Sequence, residues 1–263
     1  MGEKDQRTGV SRRRARLRHL VVRGEAMMAA AALLLLVGPF EIGPRPDAGQ
    51  PLETRGLDPA WSRVPPGAPS ARVAVIGDSL ISESRNEQRS VLEARGYPAV
   101  VAGSRAKAMG TPWVQAQVDA VAADPRIEIV VLATAANDNF ENAARAFEAG
   151  DRRALAEYRA VLTETLSRLG DRCVVLVDAR DVATGWFAPG YAPKSNAVLR
   201  EVAAGRAHTE VVGWSDISRP HRGDWFAEDM EHFGGRGRQA HPTGAAAYAE
   251  AIADGVDRCA ASS

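Results

Sequence analysis

Five short runs rich in valine and isoleucine, each followed by a stretch long enough for a helix, leave this chain little architectural choice. The runs fall at 73–76, 99–102, 127–133, 173–177 and 210–214, and apolar residues three and four apart predict helices over 83–95, 113–122, 152–169 and 245–256. Strands that are apolar on both faces and separated by ten or more residues require right-handed crossovers, which put helices on both sides of a parallel sheet. The expected fold class is therefore α/β, a three-layer α/β/α sandwich on a five-stranded parallel sheet.

This alternation begins only near residue 71, so of the 263 residues the expected folded domain is 71–263. Residues 1–25 carry eight basic side chains (Lys4, Arg7, Arg12, Arg13, Arg14, Arg16, Arg18 and Arg23) against three acidic ones, Glu3, Asp5 and Glu25. An uncharged apolar segment from Ala26 to Val37 follows, ending at Gly38-Pro39. A basic flank before such a segment is retained on the cytoplasmic side, so the remainder of the chain is expected outside the cytoplasm. Residues 26–42 read as a signal-anchor holding the protein to the membrane; a cleaved signal peptide, giving a secreted protein, is the alternative. No small-x-small cleavage site follows Val37, which favours the anchor. Residues 43–70 contain seven prolines and no sustained periodicity, and read as a linker. Lys plus Arg and Asp plus Glu balance at 33 each, which speaks against a nucleic-acid partner.

The ends of the strands carry the candidate chemistry, because open α/β sheets bind ligands at the carboxyl edge. The first strand runs into Gly77-Asp78-Ser79-Leu80, leaving Ser79 at that edge with Asp78 beside it. The third runs into Asn137-Asp138-Asn139, whose first amide can donate to a developing oxyanion together with the backbone N–H of Ser79. Near the C-terminus, Asp229-Met-Glu-His232 sets a carboxylate and an imidazole three residues apart. An aspartate orienting a histidine that takes a proton from a serine is the machinery of acyl transfer through a covalent ester. His241 is a second candidate base, but Arg238 stands where its aspartate is needed, and arginine has no acceptor. The loop 181–195 carries Trp186, Phe187 and Tyr191, and Trp186 is a candidate to line the substrate pocket. Five scattered histidines and two distant cysteines give little support for a metal site. Cys173 and Cys259 permit a disulfide or two free thiols.

Gly77-Asp78-Ser79-Leu80, Asn137-Asp138 and Asp229-x-x-His232, in that order and at these wide separations, resemble the blocks of the SGNH or GDSL hydrolases over about residues 71–259. The resemblance implies a flavodoxin-like sandwich that hydrolyses acyl esters, O-acetyl groups among them, without metal or organic cofactor. The expected substrate is a small-molecule, glycan or lipid acyl ester. Carried over residue by residue, Ser79 is the nucleophile, His232 the base, Asp229 its partner, and Asn137 an oxyanion donor. The family's third block has glycine where Ala135 stands. Its second block supplies another glycine N–H, a place that spacing gives to Ala106, with Gly103 and Gly110 as substitutes. An O-acyltransferase using the same residues, or an inactive binding domain signalled by Ala135 and Ala106, are the alternative readings.

Overall fold

The computed structural model describes residues 72–182, 189–234 and 241–262. Outside them lie the basic flank, the apolar segment 26–42, the linker 43–70, and the residues Trp186, Phe187 and Arg238. Within the described residues, five strands form one parallel sheet in the order β2-β1-β3-β4-β5, comprising β1 (Val73–Gly77), β2 (Ala99–Gly103), β3 (Ile129–Ala133), β4 (Cys173–Val177) and β5 (Thr209–Val212). This is the flavodoxin-like order, whose topological switch point lies between β1 and β3.

Alternation along the strands separates two buried layers. Val73 and Val75 of β1, Ile129 and Val131 of β3, and Cys173 and Val175 of β4 pack on one face. That face is covered by α1 (Ser79–Glu83), α2 (Arg85–Ala94) and the final helix, α8 (Pro242–Ser262). Ala74, Ile76, Val130, Leu132, Val174 and Leu176 point to the other, against α3 (Pro112–Ala123), α5 (Asp151–Arg168) and α6 (Ala192–Ala204). Between α3 and α5 comes α4 (Ala135–Ala149), and α7 (Trp214–Ser218) follows β5. Cys173 at the start of β4 is bonded to Cys259 on α8, 86 residues away, so the disulfide staples the sheet to the last helix.

Several boundaries differ from the sequence reading. The strand expected to reach residue 214 ends at Val212, because Trp214 opens α7, where it is buried among Trp225, Phe226, Phe233 and Tyr248. The helix expected from residue 83 starts at Ser79, where Asp78 caps it by accepting the N–H of Leu80 at 3.0 Å, and breaks at Ser84 into α1 and α2. Asn137, expected at the end of a strand, lies in the first turn of α4. Ala135 begins that helix without a left-handed backbone angle, so the glycine expected there is not required by conformation.

Candidate functional site

The β1–α1 turn is tight for a physical reason. A Cβ at Gly77 would lie 2.7 Å from the carbonyl oxygen of Ala133 on β3, so only glycine lets α1 start so close to the sheet. Gly103, its register partner on β2, meets the same helix: a Cβ there would stand 2.8 Å from the carbonyl carbon of Ile81. Ser79 is the first residue of α1, so its backbone N–H has no acceptor within the helix.

The partner side chains come from a loop far along the chain, with His232 153 residues after the serine. Ser79 Oγ lies 2.9 Å from His232 Nε2, and His232 Nδ1 lies 2.8 Å from Asp229 Oδ2. The local chain explains the second distance. Met230 adopts a left-handed φ of 59°, folding the segment so that Asp229 Oδ1 accepts the N–H groups of Glu231 and His232, each at 3.0 Å. Burial pushes the Asp229 carboxyl up, but the His232 ring and these two N–H groups outweigh it and hold the carboxyl at about 2. Burial lowers the His232 imidazole; the hydrogen bond to Asp229 and the charges of Glu83 and Asp229 overcome that and keep it above its ordinary value. An aspartate that stays ionised beside a ring with raised proton affinity is what a base accepting a serine proton needs.

Behind this array stand carboxyls of the opposite kind. Burial pushes Asp78 up to about 6, Asp138 to about 7 and Glu231 to about 8. The Asp138 carboxyl joins two segments. Its Oδ1 accepts the N–H of Met109 at 2.6 Å and its Oδ2 the hydroxyl of Thr134 at 2.7 Å, tying the loop after β2 to the start of α4. Asn137, one residue earlier, directs its amide elsewhere. Its buried Nδ2 makes no hydrogen bond of normal geometry, although the amide stands near enough to Asp78 to favour that carboxyl's charged form. A buried donor without an acceptor is costly, and a bound oxyanion would relieve it.

The loop after β2 starts beside β1, with the N–H of Ser104 on the carbonyl of Gly77 at 3.1 Å. In it, Ala106 is exposed at a φ of 53°, a left-handed turn position. Gly103 is committed to packing, and its carbonyl accepts a 2.8 Å hydrogen bond from Arg85. Gly110 faces Val161 of α5. His241 precedes α8, and its backbone N–H donates to the carbonyl of Phe233 at 2.6 Å, so it braces the end of the His232 loop through main chain. Trp186 lies outside the described residues. Sequence reasoning passed over Glu83, whose Oε2 accepts the N–H groups of Phe233 and Gly234. Its signal was an acid one helical turn after the nucleophile candidate. A cleft of about 430 Å³ between α5 and α6, lined by Arg159, Leu166, Val202 and Arg206, lies apart from these residues.

No protein-family model matches the chain, and no curated protein sequence matches it. Solved structures do. The C-terminal catalytic domain of Streptococcus pneumoniae peptidoglycan O-acetyltransferase A superposes with a TM-score of 0.56 at 19% identity, covering 74% of this chain and 97% of that one. The acetyl xylan esterase AlAXEase gives 0.51 at 16% identity, over 70% of this chain and 99% of its own. Axe2, an acetylxylan esterase from Geobacillus stearothermophilus, gives 0.50 at 14% identity, over 70% and 93%. At these identities the likeness is one of fold.

Proposed function

We propose that this chain is a serine enzyme acting on acyl esters, with Ser79 as nucleophile, His232 as base and Asp229 as the group that orients it. The observation that carries the reading is the hydrogen-bonded series from Ser79 Oγ through the His232 ring to Asp229, at 2.9 and 2.8 Å, on the carboxyl edge of the sheet. Ser79 Oγ adds to the acyl carbonyl while its proton passes to His232 Nε2. The oxyanion is held by the N–H of Ser79, the amide of Asn137 and an N–H of the loop after β2, assigned to Ala106. Collapse expels the alcohol, which takes the proton from His232, and leaves the acyl group on Ser79. Water, deprotonated by the same ring, then releases the acid.

O-acetyl esters of cell-envelope glycans are the proposed substrates, which accords with the fold's occurrence in acetyl xylan esterases and in a peptidoglycan O-acetyltransferase. The second reading, transfer of the acyl group to a sugar hydroxyl in place of water, is favoured by the last of these neighbours. The proposed location is extracytoplasmic, through an anchor at 26–42 or by secretion. The buried Cys173–Cys259 disulfide supports an oxidising compartment. Among the described residues no helix is long and apolar enough to cross a membrane.

The test is hydrolysis of an aryl acetate by the full chain, followed by product analysis with a glycan acceptor. Ser79→Ala is expected to remove at least about a thousandfold of the turnover. Full activity in that variant would refute the reading.

A further inference from the structure

The segment that carries His232 has to be registered against the helix that carries Ser79, and both are touched by one side chain outside the Ser79–His232–Asp229 array. Glu83 follows Ser79 by four residues on α1, so the two side chains leave the helix on the same side. Its Oε2 accepts the backbone N–H of Phe233 at 3.0 Å and that of Gly234 at 3.1 Å, the two residues that follow His232. Arg105, from the turn after β2, approaches its other oxygen at 3.8 Å. The Glu83 side chain is only 13% exposed.

The other main-chain bonds of the loop have different effects. Ala227 N–H to the His232 carbonyl and Met230 N–H to the Ala227 carbonyl close the loop on itself, and His241 N–H to the Phe233 carbonyl ties it to the residue before α8. These fix the loop's shape and its attachment to the last helix. The bonds to Glu83 fix its distance from α1, because a single oxygen receives two successive N–H groups and cannot follow a sliding loop without losing one.

Resting on the assignment of Ser79 and His232 as nucleophile and base, we infer that Glu83 is a positioning residue: it holds the His232 segment in register with the nucleophile helix and adds a fixed negative charge beside the imidazole. The groups facing His232 are Ser79, Glu83 and Asp78 from the α1 side, and Asp229 and Glu231 from its own loop. Among these Glu83 lies within α1 and its charge favours the imidazolium, as does that of Asp78 before the helix. Burial raises the Glu83 carboxyl itself, opposed by His232, by the two N–H donors and by Arg105.

The two contributions separate in Glu83→Gln and Glu83→Ala, made in the full chain. Glutamine keeps an oxygen able to take both N–H groups and loses the charge; alanine loses both. With an aryl acetate, Glu83→Ala is expected to lower kcat by about ten- to a hundredfold with KM changed little, the size expected of a misplaced reacting group. Glu83→Gln should recover most of that rate. In both variants the acid limb of the pH profile, which tracks deprotonation of His232, is expected to move to lower pH by about half a unit. A nuclear magnetic resonance titration of His232 should move in the same direction and needs no turnover. A bystander that only stabilises the fold would lower the melting temperature of both variants and leave the His232 titration in place. A wild-type kcat in Glu83→Ala, or an unmoved titration in Glu83→Gln, overturns the inference. Loss of the Ser79→Ala effect would instead overturn the assignment on which it rests.

Discussion

Two aspartate–histidine pairs, each with its partners three residues apart, lie close together in this chain and are built alike at short range. His232 Nδ1 is 2.8 Å from Asp229 Oδ2, and His221 Nδ1 is 2.9 Å from Asp224 Oδ2. Beyond that distance they diverge. Asp229 receives the N–H groups of Glu231 and His232 and Asp224 that of Arg222, but the far nitrogen of His232 meets Ser79 Oγ at 2.9 Å. His221 instead lies flat on Trp225 with ring centroids 3.4 Å apart, and its carbonyl accepts a hydrogen bond from the buried Arg180. Its aspartate is the more exposed of the two, 61% against 39%. An aspartate–histidine pair is thus a common local motif, and what distinguishes one from the other is what the second ring nitrogen faces.

The strongest way to break this contrast is to delete each imidazole. His232→Ala is expected to reduce aryl acetate turnover by at least about a thousandfold, and His221→Ala by less than about threefold. Equal losses would show that the pairs are not functionally distinct. The carboxylates give the next largest contrast. Asp229→Asn should cost about a hundred- to ten-thousandfold in kcat by leaving the ring in the wrong tautomer, while Asp224→Asn should leave kcat within a few-fold. Asp229 also carries a pH signature. Its carboxyl ordinarily titrates near 3.8 and is held at about 2, so its stabilising contribution is present above about pH 4 and is lost as pH falls towards 2. Acid unfolding of Asp229→Asn is therefore expected to lack that component, and the same curve for wild type and variant would count against it.

The smallest effect concerns the interior behind His232. Glu231 is buried and pushed up to about 8, first by burial and then by the charge of Asp78. The folded protein keeps this proton over a pH range where the unfolded chain, with its carboxyl near 4.5, has released it. Stability must then fall as pH rises from about 4.5 to about 8. Glu231→Gln should raise the melting temperature at pH 8 and change it little at pH 5. A uniform shift at both pH values would mean that Glu231 is ionised in the fold.

How much of this the sequence disclosed follows physical lines. The strands were legible because valine and isoleucine runs buried on both faces have no other use in a chain of this kind. The grouping of Ser79, Asp229 and His232 was legible because local spacing and order carry it. Helix α4 was not, because its buried positions are Ala135, Ala136, Asp138, Asn139 and Asn142, which give no apolar stripe. The bonding role of Asp138, and Glu83 altogether, escaped for a related reason. Each side chain acts by accepting backbone N–H groups from a distant segment, Met109 in one case and Phe233 with Gly234 in the other, and backbone donors leave no mark in sequence. The disulfide was equally undetermined until β4 and α8 brought the two Cα atoms to 5.8 Å.

The central claim, that Ser79 is activated by His232 and not by the other pair, is tested most directly by covalent trapping. The full chain, treated with a serine-directed sulfonyl fluoride, would be examined by peptide mass spectrometry. A single adduct on Ser79 is expected in the wild type and in His221→Ala, with at least about a hundredfold slower labelling in His232→Ala. Labelling of Ser79 at the wild-type rate in His232→Ala, or an adduct on another residue, would contradict it.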